Sequence, residues 1–165
     1  MNLLPDDLVA LAERVVRENA AAGRTIALAE SCTGGLVAAA LTEVAGSSAV
    51  LDRGFVTYSN ESKHEVLGIP MDIIDTFGAV SIACVWAMAQ GALTRSRADV
   101  AVAISGIAGP AGGSDQKPVG TVVFARAVRG EIEEDAVAEE RWFEDGGRAA
   151  VRYEAALVAL ELLLP

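Results

Sequence analysis

Histidine occurs once in these 165 residues, as His64, and cysteine twice, as Cys32 and Cys84. One histidine excludes a multi-histidine metal centre, and two distant cysteines make neither a disulfide framework nor a CxxC metal pair. Aromatics are only 5% of the chain, so the core has to be built from alanine and valine, which suits helices packed closely on a sheet. Positive charge is also scarce: 13 Lys and Arg stand against 23 Asp and Glu, a net charge of −10. Nucleic-acid-binding domains usually carry a basic face, so that partner is argued against, whereas a small anion held by a few local cations is not. No apolar run reaches the ~18 uncharged residues of a membrane span. The opening "MNLLPDDLVALAERVV" lacks the basic-then-apolar layout of a signal peptide. No membrane partner and a reduced, cytoplasmic setting are therefore expected.

What is present reads as one domain over 1–165, since no repeat, low-complexity tract or linker-like shift interrupts it. Residues 5–22 space Leu8, Leu11, Val15 and Val16 on one side of a helix. Thr25–Ala29 reads as a buried strand, 34–45 as a helix and "VLDRGFVTYS" (50–59) as a second strand. Asn60 is placed to cap a helix through Leu67, a shorter one occupies 72–77, and Ser81 caps a longer one to Arg95. "DVAVAIS" (99–105) is the uninterrupted apolar strand of a sheet centre. "GTVVFARAV" and "EDAVAEERWF" flank Arg129–Gly130–Glu131 as an antiparallel hairpin, and 147–163 form the last helix. The expectation is an α/β fold: a three-layer α/β/α sandwich whose mixed sheet includes that C-terminal hairpin.

Four segments have the makings of a site. In "AESCTGGL" (29–36) a strand meets a helix through Gly34 and Gly35. Bare N–H groups at a helix N-terminus attract an anion. Thr33 is the natural N-cap, Ser31 lies just outside it, and the N–H groups of 32–35 are aimed at ligand oxygen. The same segment also makes sense as a capped turn with no ligand. In "TYSNESKHEVLG" (57–68), Lys63 falls at the third helical position, where the dipole opposes a cation and favours the neutral amine, a general base. Tyr58 at the strand end is placed to donate or relay a proton; a solvated Lys63 and a half-buried Tyr58 are the plain alternative. "SGIAGPAGGSDQKPVG" (105–120) is longer than the ~12–15 residues at which irregular connections become unusual. Its glycines, Gly106 and Gly109 among them, let a ligand approach the backbone. It is neither a Walker A loop nor a Rossmann fingerprint. Finally, Arg148 and Arg152 share a face of the last helix. Either a bound phosphate or a nearby Glu144, Asp145 or Glu154 would resolve their repulsion.

Three further side chains compete for roles. Cys32 is an alternative nucleophile without an evident histidine partner. His64 adjoins Lys63 and faces elsewhere. Glu30 is read as an acceptor that orients a hydroxyl or the lysine.

"AESCTGGL", "GFVTYSNESK", "GAVS", "SGIAGPAGGSDQKPVGTV" and the "GGRAAVR" helix together resemble the CinA C-terminal domain family and, within it, the stand-alone nicotinamide mononucleotide amidohydrolases. The resemblance runs in order from about residue 5 to 163, with one additional residue in "WFEDGGR". Larger CinA proteins carry a further N-terminal domain. The resemblance implies hydrolysis of the carboxamide of nicotinamide mononucleotide to nicotinate mononucleotide and ammonia, a step of pyridine nucleotide salvage that needs neither cofactor nor metal. It implies Ser31 as nucleophile, Lys63 as general base and Tyr58 as an assisting residue. It implies that Thr33, Ser105, Gly106 and Arg148 line the site, with Glu30, Cys32, Gly34, Gly35 and Gly109 around them. A non-catalytic nucleotide-binding regulatory module of the same fold stays open, and so does a homodimer through the apolar last helix.

Overall fold

The computed structural model describes residues 1–132, 137–144 and 146–165. Its elements in chain order are α1 (Asp6–Ala21), β1 (Ile26–Glu30), α2 (Leu36–Thr42), β2 (Leu51–Val56), α3 (Asn60–Leu67), α4 (Met71–Phe77), α5 (Ile82–Thr94), β3 (Val100–Gly106), β4 (Thr121–Val128), β5 (Val137–Trp142) and α6 (Arg148–Leu162). The five strands form one mixed sheet in the order β2-β1-β3-β4-β5. β1 runs parallel to β2 and β3, while β4 and β5 add on antiparallel. This is the expected three-layer sandwich with its C-terminal hairpin. The start of the second hairpin segment, 134–136, lies outside the described residues.

Strand alternation explains how the layers are held. Ile26, Leu28, Val100, Val102, Ile104, Val122 and Phe124 point to one face and join α1, α2 and α6 in a large core. Ala27, Ala29, Ala101, Ala103, Ala125 and Ala127 point to the other, where α3, α4 and α5 pack. Small side chains on that face let α5 lie close to the central strands, with Cys84, Val85, Met88, Ala89 and Ala92 fully buried between them. The parallel strands β1 and β3 both end at residues of the site, the usual place for a ligand in an open α/β sheet.

Two helix starts differ from the sequence expectation. α2 begins at Leu36, not 34, because Gly34 and Gly35 adopt left-handed backbone with φ of 59° and 97°, a region that L side chains rarely occupy. α3 is capped by Ser59, whose Oγ accepts from the Ser62 N–H at 3.0 Å. Asn60 is therefore the first helical residue, and Lys63 moves to the fourth position. Ser81 caps α5 as expected, accepting from the Cys84 N–H at 3.1 Å.

The alanine face generates a packing prediction. Ala101→Leu pushes extra methylenes between β3 and α5 and should destabilise the protein by about 1–3 kcal/mol, read as a lower urea midpoint. An unchanged midpoint would mean that α5 is not closely packed on the strand.

Candidate active site

Eight of the predicted residues line one cleft of about 270 Å³: Ser31, Cys32, Tyr58, Lys63, Ser105, Gly106, Gly109 and Arg148. Asn60, Ala79 and Val80 complete a wall that the sequence reading did not assign, the last two from the quoted "GAVS". Glu30, Thr33, Gly34 and Gly35 do not line it. Gly106 has to be glycine: an added Cβ would stand 2.8 Å from Val122 Cγ2 and 3.1 Å from Cys32 Sγ.

Lys63 is the centre of the cleft. It is 1% exposed, and no carboxylate pairs with it among the described residues. Its Nζ lies 3.1 Å from Ser31 Oγ, 2.9 Å from the Thr57 carbonyl oxygen and 3.4 Å from that of Tyr58. A neutral primary amine has two N–H donors and one lone pair. The two carbonyls take the donors, which leaves the lone pair for the Ser31 hydroxyl proton. Burial also pushes the Lys63 pKa below its ordinary 10.5, against a smaller opposite influence from the Cys84 and Cys32 thiols. The cause is desolvation, not the helix position that the spacing suggested.

The turn after β1 corrects several expectations. Thr33 does not cap α2, and Glu30 orients neither a hydroxyl nor the lysine. The Glu30 carboxylate, 1% exposed, folds back over the helix end and accepts from the N–H groups of Gly35 (3.0 Å), Val37 (3.2 Å) and Ala38 (2.9 Å). It is a resident anion at the positive end of α2. Gly34 donates its N–H to Ser31 O at 3.0 Å, so Gly34 and Gly35 have no donor left for a ligand. Within 31–38, two N–H groups stay uncommitted among the described residues. They are Cys32, whose N–H meets only its own thiol, and Thr33, which is buried. Of the two, only Cys32 lines the cleft, so its N–H is the donor within reach of a developing oxyanion.

The other candidates separate clearly. Burial pushes the Cys32 thiol up to about 11, so it stays protonated and is a poor nucleophile. His64 turns away, its Nδ1 2.8 Å from Ile69 O. Tyr58 is exposed, and its hydroxyl accepts from Arg148 at 2.6 Å; it does not reach Ser31 or Lys63. Arg148 also donates to Gly109 O at 2.7 Å, so it ties the strand end, the glycine loop and α6 together at the cleft mouth. Arg152 departs from the expectation of a shared anion. It donates to Cys32 O at 3.1 Å and Thr33 O at 3.2 Å. Neither arginine forms an ion pair with Glu144 or Glu154, and Asp145 lies outside the described residues. Sequence reasoning placed Arg152 with Arg148 on a shared anion and did not foresee its carbonyl partners, nor the two backbone acceptors of Lys63.

Among the described residues no helix is long and apolar enough to cross a membrane. Nor does any group of three or more His, Cys, Asp or Glu converge as metal ligands.

Comparison with known proteins agrees with this geometry. The profile of the CinA C-terminal domain matches residues 8–165. The chain is 51% identical over 158 residues to the nicotinamide-nucleotide amidohydrolase PncC of Escherichia coli K12, covering 95% of this chain and 93% of that one. It is 49% identical to a protein of Symbiobacterium thermophilum named as competence-damage inducible, but spans only 39% of that longer chain against 98% of its own. The crystal structure of the competence/damage inducible protein CihA from Agrobacterium tumefaciens superposes with a TM-score of 0.94 at 49% identity, over 99% of this chain and 97% of that one.

The buried amine has a signature in stability. Between the lowered folded-state pKa of Lys63 and 10.5, the unfolded chain holds a proton that the folded one has released, so stability rises with pH there. Lys63→Met removes the titration. Its stability relative to wild type should be most favourable at low pH, and the difference should shrink as pH rises toward 10.5. Denaturation midpoints across pH measure this, and a difference that grows with pH contradicts it.

Proposed function

The chain belongs to the CinA C-terminal domain family, and from that premise we propose that it hydrolyses the carboxamide of nicotinamide mononucleotide, giving nicotinate mononucleotide and ammonia. The observation that carries the reading is the 3.1 Å approach of the buried Lys63 amine to Ser31 Oγ at the wall of the cleft. The 51% identity to a protein named nicotinamide-nucleotide amidohydrolase supplies the substrate class.

The steps follow from the groups present. Ser31 Oγ attacks the carboxamide carbon and its proton passes to the Lys63 lone pair. The carbonyl π pair moves onto oxygen, which the N–H of Cys32 at the cleft wall receives. On collapse the C–N bond breaks and Lys63 returns the proton to the departing nitrogen, so that ammonia leaves. Water, deprotonated by the same amine, then clears the acyl group from Ser31. Serine with lysine is a recognised variant of hydrolytic triad chemistry. Burial, which lowers the Lys63 pKa, favours the neutral amine this step needs. Arg148, at the cleft mouth beside Tyr58 and Gly109, is the cation placed for the ribose phosphate, with its planar fork suited to that anion. A cleft of about 270 Å³ is of the order of a small-molecule site and is compatible with a mononucleotide.

Ammonia release from nicotinamide mononucleotide tests the proposal. Ser31→Ala and Lys63→Ala should each lower kcat by about 10³-fold or more. In wild type, kcat/KM should climb with pH through one ionisation below 10.5, that of the buried amine. If all three proteins release ammonia equally fast, the serine–lysine mechanism is wrong.

A further inference from the structure

Side chains alternate along a strand, and the sheet face under α5 carries alanine on each central strand: Ala27 and Ala29 of β1, Ala101 and Ala103 of β3, Ala125 and Ala127 of β4. The next residues in step on β1 and β3 break that run, and both are serine. Glu30 and Ile104 are the last registered pair of the two strands. The Ser31 N–H donates to the Ile104 oxygen at 3.0 Å, so the ladder carries on and Ser31 and Ser105 stand side by side on the alanine face. Ser31 is accounted for by its contact with Lys63. Ser105 is not accounted for. It is 1% exposed, and its hydroxyl has no hydrogen-bond partner among the described residues. A buried hydroxyl without a partner is unfavourable beside the alanine of the neighbouring positions. Thr33 and Thr57 also hold unpartnered hydroxyls, but theirs are sealed inside the protein. Ser105 lines the cleft, so a ligand can meet it.

We propose that Ser105 is a catalytic residue: its hydroxyl donates a hydrogen bond to the substrate oxygen that becomes negative when Ser31 attacks, as the side-chain partner of the Cys32 N–H.

The layout of the sheet assigns that role over the others open to a hydroxyl. Lys63 is held by the carbonyls of Thr57 and Tyr58, just past β2. With the strand order β2-β1-β3, Lys63, Ser31 and Ser105 therefore lie in a row, with the nucleophile in the middle. Lys63 returns its proton to the departing nitrogen, so that nitrogen faces the β2 side. Oxygen and nitrogen occupy different corners of the tetrahedral intermediate, and the oxygen is left facing β3, where Ser105 stands. The turn after β1 offers that oxygen a single N–H at the cleft wall, whereas such charges are usually met by more than one donor, serine hydroxyls among them. Ser105 also makes no hydrogen bond to Lys63, whose acceptors are Ser31 Oγ and the two carbonyls, so it does not serve by holding the base. No proton is transferred: the Ser105 O–H stays whole and only its hydrogen bond strengthens as the charge develops.

The inference rests on the serine mechanism proposed above, and its test separates the two. Ser105→Ala removes one oxygen and matches the alanines around it, so its urea midpoint should equal or exceed that of wild type. With nicotinamide mononucleotide, kcat should fall about 10²-fold in Ser105→Ala, with KM within about threefold. Ser105→Cys, of similar size with a weak S–H donor, should fall between the two, and it carries the test if the alanine variant does not fold. The 3-carboxaldehyde analogue of the nucleotide takes Ser31 Oγ onto its carbonyl carbon, and the serine proton passes by way of Lys63 to the former carbonyl oxygen. Its inhibition constant should weaken in Ser105→Ala by up to the factor lost in kcat/KM. An unchanged kcat overturns the proposal, and so does a loss carried by KM, which would mark a residue that binds substrate and transition state alike. A lowered urea midpoint with kcat and KM both impaired would mark a hydroxyl that serves the fold, and overturns it too. Acetylation of Ser31 by p-nitrophenyl acetate, followed by nitrophenolate release and intact mass, supplies a readout free of the nucleotide. If wild type is acetylated but releases no ammonia from the nucleotide, the substrate reading fails. A slower acetylation in Ser105→Ala then still upholds the donor role, and an equal rate overturns it. If Ser31 is not acetylated and no ammonia forms, both fall together.

Discussion

One amine without a counter-ion organises this molecule. Lys63 is taken out of water and given two carbonyl oxygens and one hydroxyl, and no negative charge. Burial lowers the Lys63 pKa below its ordinary 10.5 and so favours the neutral amine. Several features of the fold serve that placement. Ser59 starts α3 at the residue that brings Lys63 under the end of β2. Thr57 and Tyr58, just past that strand, turn their carbonyls to it. The alanine-lined face of the sheet lets α5 press close, with the apolar flank of Cys84 near the amine.

The turn after β1 shows a second constraint. A helix N-terminus attracts anions, and α2 begins directly beside the nucleophile. Were its end open, the phosphate or product carboxylate would have a resting place competing with the reactive pose. Glu30 fills that place from within the chain. It also uses up the donors of Gly35, Val37 and Ala38, which leaves, of this turn, the Cys32 N–H at the cleft wall for a transient charge. The paired glycines thus serve a different end from the one their sequence suggests. Left-handed backbone at Gly34 and Gly35 wraps the chain around the carboxylate; it does not bare the helix for a ligand.

Much of the architecture was legible in the residues. "DVAVAIS" announces a central strand, and its alternation of valine or isoleucine with alanine already contains the two unequal faces. Ser81 and the long apolar helix after it were equally plain. At the site, Ser31 and Lys63 were legible through motif and residue type, and the cleft brings them together across some thirty positions. The illegible part is what the backbone does. Glu30 reaches N–H groups five, seven and eight residues ahead, a pattern that exists only once the glycine turn is formed. Thr57 and Tyr58 act on Lys63 through carbonyl oxygens that every residue possesses, so no side-chain reading could single them out. The start of α3 was missed by one residue because Ser59 and Asn60 are both good caps, and the extended backbone at Ser59 decides between them.

The two arginines of α6 show how the same residue type divides labour one turn apart. At 148 the side chain emerges at the mouth and meets a phenol and a carbonyl, neutral acceptors that an incoming anion can replace without leaving a charge unpaired. At 152 it runs behind the nucleophile and meets two carbonyls that belong to the catalytic turn itself. Like charges four residues apart would repel on a bare helix. Here the two side chains diverge, one to Tyr58 and Gly109 at the cleft mouth and one to the carbonyls of Cys32 and Thr33. One helix therefore anchors both the cleft mouth, through Arg148, and the turn that follows Ser31, through Arg152.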